Sequence, residues 1–377
     1  MNKKIAVIIL PTYNEKGNIG TAIQTLETDV FPVIKDYEMK ILVADDKSPD
    51  GTADEVRVLM KKFKNISLSQ GVKKGLGAAY IRGMTYAVEE MGADVLFEMD
   101  ADGQHDSSKV PMFLGKIDEG CDVVIGTRYS AGGSIPKNWP IQRKLFSVTA
   151  NLFVRIVFTK LHIHDWTGGY RALKKEVFLK ERQELLNFNG YIFQISFLHK
   201  VVRDGFKVGE VPFIMTDRTL GKSKIAPLGY IFDVLKFVIV ERIQELMFGR
   251  FGKFFVVGLS GLTINLTTYS ILANYSHVSL VFANTVGAQL AIFSNYNLNN
   301  LWTFKNKRTK TAGAYFLKML QFFLTSNIGV WLFQNGTIYL GEKYYGREHY
   351  LVYFVIGTAI LLVWNFTIYS RFIWKEK

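Results

Sequence analysis

Cysteine is almost absent from this chain: a single residue, Cys121, stands among 377, so no intramolecular disulfide can form and a cysteine-rich zinc site lacks ligands. A reducing compartment fits that usage, and Cys121 is assigned a packing role. A secretory leader is not expected either. "MNKKIAVIILPTYNE" sets two lysines before an apolar stretch, but Ile5 to Leu10 falls short of the roughly 7 to 15 residues of a signal core. Its β-branched residues read better as a buried strand. No Gly-x-Gly-x-x-Gly follows that strand, which argues against a dinucleotide-binding domain; the lone "KKGLGAAYIRG" serves equally well as a helix start. Nor is there a nucleic-acid recognition module, although 46 Lys and Arg against 33 Asp and Glu leave a formal charge of +13. The basic residues cluster beside membrane-type sequence, so nucleic acid is not an expected partner; an anionic bilayer surface and phosphorylated substrates are.

What the chain does contain divides along its length, with most charge before about residue 250. The first 126 residues alternate strand-like runs ("IAVIIL", "KILVAD", "NISLS", "DVLFEMD", "DVVIGTR") with helix-like segments. That alternation predicts an α/β domain with right-handed crossovers and a mainly parallel sheet covered on both faces. Ligands of such sheets bind beyond the carboxyl ends of the strands. "PTYNE", "DDKSPDG", "DADGQH" and "GTRY" all follow strands and so share one sheet edge. Asp100 and Asp102, with Gln104 close behind, offer oxygen ligands to a hard divalent cation that keeps waters and bridges substrate phosphates. A solvated Asp-rich turn is the ordinary meaning of an isolated Asp-x-Asp, and the three neighbouring polar strand ends are what set this one apart.

Taken in order, "PTYNE", "VADDKSPDG", "MDADGQH" and "GTRY" resemble the GT-A domain of glycosyltransferase family 2. The later "DRTLGKSK" is similar to polyprenyl-phosphate glycosyltransferases of the dolichol-phosphate mannose synthase type. The resemblance spans roughly residues 4 to 245 and implies a Rossmann-like GT-A fold. It implies that Pro11, Tyr13, Glu15, Ala44, Asp46 and Lys224 hold the nucleotide, and that Asp100, Asp102 and Gln104 hold Mg2+ or Mn2+. Arg128, Arg143 and Ser147 would receive the phosphate of the acceptor lipid, a task suited to the planar guanidinium fork. Arg218, Ser223 and Lys224, in an Arg-x-x-Gly-x-Ser-Lys stretch, would close over the donor's phosphates, and Asp100, Asp102, Arg128 and Arg218 would act directly on the reacting groups. Asp165, in "HDWTGGYRAL", would position the sugar or a loop, with a purely structural role as its counterweight. Where the family often has Glu, this chain has Ser196. His105 reads as a loop residue more than as a ligand.

The implied reaction needs no general base. A lipid phosphate, with a second pKa of about 6, is already anionic at neutral pH and can attack an anomeric carbon directly. The implied partners are a nucleotide sugar, GDP-mannose before UDP-glucose, and dolichyl or another polyprenyl phosphate. The Gln-x-x-Arg-Trp motif of processive synthases is absent. A lipid-sugar flippase carrying a nucleotide-binding module is the rival of another class.

A lipid acceptor demands membrane access. Residues 143 to 161 and 227 to 248 mix aromatic and aliphatic residues with a minority of basic ones, as in helices lying in the interface plane. Beyond them, 254 to 274, 279 to 299, 315 to 340 and 350 to 370 are apolar enough to cross a hydrocarbon core needing roughly 20 residues. "KNKRTK", residues 305 to 310, is a purely basic loop; the positive-inside rule sets it, both termini and the catalytic domain in the cytoplasm. "NYNLNNLWTFK" and "NFTIYSRFIWK" match at an offset of 70 residues, so two related hairpins are expected, and the pattern resembles the GtrA-like membrane domain. Anchorage and homo-oligomerisation are favoured over flipping for it, with Asn295 and Asn365 as interhelical hydrogen-bond groups. The expected organisation is a GT-A domain over 1–226, an interfacial helix over 227–248 and a four-helix transmembrane domain over 249–377.

Overall fold

The structure, a computed structural model, describes residues 3–185, 192–217, 228–275, 280–307, 311–346 and 350–374. It falls into two compact units, Met1–Ile239 and Val240–Lys377.

The first unit runs β1 (Lys4–Thr12), α1 (Asn18–Thr25), β2 (Tyr37–Asp45), α2 (Thr52–Lys62), β3 (Ile66–Gln70), α3 (Leu76–Glu89), β4 (Val95–Glu98), α4 (Val110–Asp118) and β5 (Val123–Thr127). α5 (Ile141–Val157), β6 (Arg171–Lys174), α6 (Lys175–Leu185), α7 (Ile192–Arg203), β7 (Val208–Pro212) and the start of α8 (Leu228–Phe248) complete it. The seven strands are ordered β3-β2-β1-β4-β6-β5-β7. β6 is antiparallel to both neighbours; every other pairing is parallel. The five strands expected from sequence are all present, and β6 and β7 are added to them.

The unbroken apolar runs of β1 and β2 follow from burial on both faces. Ala6, Ile8, Leu10, Ile41 and Val43 enter one core cluster, and Val7, Ile9, Leu42 and Ala44 enter the other. On the second face α3 approaches closely because Gly83 has no side chain: a Cβ there would lie 2.7 Å from Ile9 Cγ2. Chain order reverses between β1 and β4, which opens a crevice at their carboxyl ends.

The second unit holds α9 (Arg250–Tyr275), α10 (Leu280–Leu298), α11 (Ala312–Gly329), α12 (Gly336–Tyr345) and α13 (Tyr350–Ile368). Helices occupy all four segments read as spans, and a π-helical stretch, Val330–Asn335, joins α11 to α12. Among the described residues, Ala312–Phe333 and Ile356–Ile373 are long and apolar enough to cross a membrane; the bent pair Phe232–Phe248 and Arg250–Thr268 makes a third if it is one span. α9 and α10 pack through reciprocal glycine contacts. A Cβ on Gly261 would lie 2.4 Å from the Asn295 side chain, and one on Gly287 would lie 2.3 Å from Asn265 Oδ1. Among the described residues the side-chain oxygens of Asn295 and Asn365 accept no hydrogen bond, so their expected interhelical bonding through those atoms is not seen.

The internal repeat has a structural counterpart. α10 and α13 each end in a π turn, Asn299–Thr303 and Tyr369–Ile373. After each turn an aromatic N–H reaches back to the carbonyl five residues earlier, Phe304 to Asn299 and Trp374 to Tyr369, both at 2.8 Å. The rings of Phe304 and Trp374 stack on one another with centroids 4.5 Å apart and planes 8° from parallel.

Candidate active site

The carboxyl ends of β1 and β2 form one wall of the crevice. Pro11 pairs in register with Ala44, and Asp46 N–H donates to Thr12 O at 3.0 Å. Ala44 is fully buried, its side chain in the core on the second face of the sheet. Asp46 is buried too, and Arg82 Nη2 donates to its Oδ1 at 2.9 Å. Burial pushes its carboxyl above the ordinary range, opposed by Arg82. Tyr13 is exposed, with the ammonium of Lys73 over its ring at 3.3 Å. Glu15 accepts from Asn18 Nδ2 at 2.8 Å, and its backbone N–H donates to Thr52 Oγ1 at 3.1 Å. Lys224, with Arg218 and Ser223, lies outside the described residues.

After β4 the chain turns sharply through Gly103, whose φ of 78° is costly for residues with a Cβ. The turn brings Gln104 N–H to Asp102 Oδ1 at 3.1 Å. Gln104 Nε2 donates to Thr216 O at 3.4 Å, and Thr216 Oγ1 to Gly103 O at 2.8 Å, tying the loop to the segment after β7. Asp100 is braced from two sides. Tyr80 on α3 donates to its Oδ1 at 3.2 Å, and its own N–H donates to His105 Nδ1 at 3.0 Å. His105 is buried and stacked on Tyr170 at 4.8 Å, and burial pushes its pKa down to about 4. It is thus a neutral imidazole protonated at Nε2, whose Nδ1 fixes the backbone of an acidic loop. It remains a loop residue by position, as expected, but with a defined task.

Among the described residues no three His, Cys, Asp or Glu side chains gather as a metal cage. The donor set here is two carboxylates and an amide, all hard oxygens, which fits a cation that completes its shell with water or phosphate oxygens. Two other buried carboxylates nearby already face guanidinium groups. Asp165 pairs with Arg128, and Glu98 lies 4.0 Å from Arg171 Nε with both residues fully buried. Burial, opposed by Arg171, pushes Glu98 up to about 7. Ser196, also buried, donates to Phe193 O on its own helix and brings no charge to the site.

Arg128, just past β5, forms the other wall. Asp165 Oδ2 accepts from Arg128 Nε at 2.7 Å and from its backbone N–H at 3.1 Å, and Asp165 Oδ1 accepts from Nη2 at 2.8 Å. Asp165 also accepts from the backbone of Thr167 and Gly168. These bonds hold Arg128 and the loop that carries Asp165. Ser147 Oγ lies 2.5 Å from Tyr129 Oη, and Arg143 lies over the Trp139 ring at 3.6 Å. The carboxyl ends of the strands thus carry Pro11, Tyr13, Glu15 and Asp46 at β1 and β2, Asp100, Asp102 and Gln104 after β4, and Arg128 after β5.

Comparison with known proteins agrees with this architecture. Residues 7–181 match the model of glycosyl transferase family 2, and residues 253–374 match that of the GtrA/DPMS transmembrane domain. The chain is 32% identical to a dolichol-phosphate mannosyltransferase of Pyrococcus furiosus over 372 residues, covering 98% of this chain and 99% of that one. It is 39% identical to polyprenol monophosphomannose synthase of Mycolicibacterium smegmatis over 223 residues, 58% of this chain and 80% of the relative. Against undecaprenyl-phosphate mannosyltransferase of Micrococcus luteus it is 36% identical over 219 residues, 58% and 86% of the respective chains. The chain is a GT-A glycosyltransferase. It belongs to glycosyltransferase family 2, of the dolichol-phosphate mannose synthase type, with a GtrA/DPMS membrane domain.

Proposed function

We propose that this protein transfers mannose from GDP-mannose to dolichyl or another polyprenyl phosphate, with inversion at the anomeric carbon, on the cytoplasmic face of a membrane. The observation that carries the reading is the full-length likeness, at 32% identity, to a dolichol-phosphate mannosyltransferase. The crevice supports it: carboxylates stand after β4, and an arginine held by a buried carboxylate stands after β5.

Pro11, Tyr13, Glu15, Ala44 and Asp46 hold the nucleotide's base and ribose, with Asp46 accepting a hydrogen bond from a ring N–H. Asp100, Asp102 and Gln104 would hold Mg2+ or Mn2+, which would neutralise charge on the departing diphosphate. Arg128, Arg143 and Ser147 orient the acceptor phosphate, and Arg218, Ser223 and Lys224 grip the donor. A phosphate oxygen of the lipid forms a bond to the anomeric carbon as the bond from that carbon to the diphosphate breaks, and GDP leaves. No proton has to be removed, so alignment and charge stabilisation supply the catalysis. Exposed Ile141, Leu145, Val148, Leu152 and Ile156 recur at helical spacing on α5, which supports seating of that helix on the bilayer where the lipid resides.

The test is transfer of radiolabel from GDP-mannose, with UDP-glucose in parallel, to dolichyl phosphate in detergent, with and without EDTA. Label from GDP-mannose is expected in the organic phase, lost with EDTA and reduced on the order of 10² to 10³-fold by Asp102→Ala. Near-wild-type transfer by that variant would sink the reading.

A further inference from the structure

Arg143, Ser147 and Asn151 are spaced by four on α5 and share one face of the helix. Asn151 is the buried member of the three, and it bonds across to the segment after Asp165. Its Oδ1 accepts from Trp166 N–H at 2.7 Å, and its Nδ2 donates to Thr167 Oγ1 at 3.0 Å. The same hydroxyl accepts from Arg128 Nη2 at 2.8 Å, so both of its acceptor sites are used. An unbroken chain of bonds therefore runs from the middle of α5 through Thr167 to the guanidinium that Asp165 holds from its other edge. Sliding or rolling α5 would break both Asn151 bonds in a buried setting, where an unmet polar group is costly.

We propose that Asn151 and Thr167 are positioning residues that fix the register of α5 against Arg128, so that Arg143 and Ser147 meet the acceptor phosphate in step with it. The inference rests on the acceptor-phosphate reading above. It accounts for a buried asparagine on a helix whose opposite face is apolar and exposed. It also assigns Thr167 a role that neither contact would give alone.

The experiment is steady-state transfer by the full-length protein in detergent, varying dolichyl phosphate at saturating GDP-mannose and then the reverse. Thr167→Val keeps the side-chain shape without the hydroxyl, and the expected result is an acceptor KM raised about tenfold with the donor KM unchanged. Thr167→Ser restores the hydroxyl and is expected within about twofold of wild type. Asn151→Ala, on the other side of the same link, is expected to raise the acceptor KM alone, and to add little to Thr167→Val because both break one connection. The inference is overturned if Thr167→Val and Asn151→Ala keep the wild-type acceptor KM. It is equally overturned if the variants weaken donor and acceptor alike with a lowered Tm that Thr167→Ser shares. Arg143→Ala separates the two levels. An unchanged acceptor KM there removes the acceptor-phosphate reading itself, whereas a raised one beside normal Thr167→Val kinetics removes only the register role.

Discussion

The carboxylate of Asp165 holds the guanidinium of Arg128 along one edge through two parallel hydrogen bonds, Nε to Oδ2 at 2.7 Å and Nη2 to Oδ1 at 2.8 Å. Both side chains are buried. Removing one charge from such a pair strands the other, at about 3 to 5 kcal/mol. Asp165→Asn is therefore expected to lower Tm clearly and to cut transfer by about 10²-fold or more, since the amide offers a donor where Arg128 needs an acceptor. Pairing it with Arg128→Gln should cost less stability than the sum of the singles, measured by thermal unfolding of the purified protein.

His105 makes a different prediction. His105→Phe preserves a ring against Tyr170 but deletes the acceptor for Asp100 N–H. The acidic loop loses a brace, so half-maximal activity should need about 10 to 100-fold more Mn2+. A Mn2+ titration of transfer reads this directly, and an unshifted curve counts against the bracing role.

Glu98 sets a pH dependence of stability. Its folded pKa of about 7 lies above the ordinary 4.5, so between those values the folded state binds more protons than the unfolded. The stabilisation is complete below about pH 4.5 and is lost as pH rises through about 7. Glu98→Gln mimics the protonated side chain and should flatten the decline, a difference on the order of a few kcal/mol. Tm measured from pH 5 to 8 in EDTA, for both proteins, is the check; parallel curves would refute it.

In the membrane unit, Gly287→Ala would place a Cβ 2.3 Å from Asn265 Oδ1 and 2.8 Å from Asn265 O. The second contact is with backbone and cannot swing away, so α9 and α10 must separate. A loss of about 1 to 3 kcal/mol is expected. Thermal scans in detergent should show the lower Tm while GDP affinity is kept.

The sheet was legible because its strands are apolar runs ended by polar clusters, and the shared edge of "PTYNE", "DDKSPDG", "DADGQH" and "GTRY" followed from strand direction alone. β6 escaped notice because "RALK" opens on a charged residue; its Arg171 is buried beside Glu98, a pairing 73 positions apart that no local pattern announces. Glu98 itself did leave a signal, as an acid inside "VLFEMD" that had to be either exposed or neutralised. The grip of Asp165 on Arg128, and the part of Asn151 and Thr167 in it, join residues distant in sequence, and only the folded chain brings them within hydrogen-bond reach. His105 was read by its place in a loop, but burial decides what it does.

The stack of Phe304 on Trp374 has a consequence for how the two repeats of the membrane unit are joined. Each ring follows the π turn that closes its own copy of the repeat, so their contact brings the two closing segments, 70 residues apart in sequence, together. Because each copy is closed by an aromatic ring, the same position of the repeat, used twice, becomes the seam that joins them.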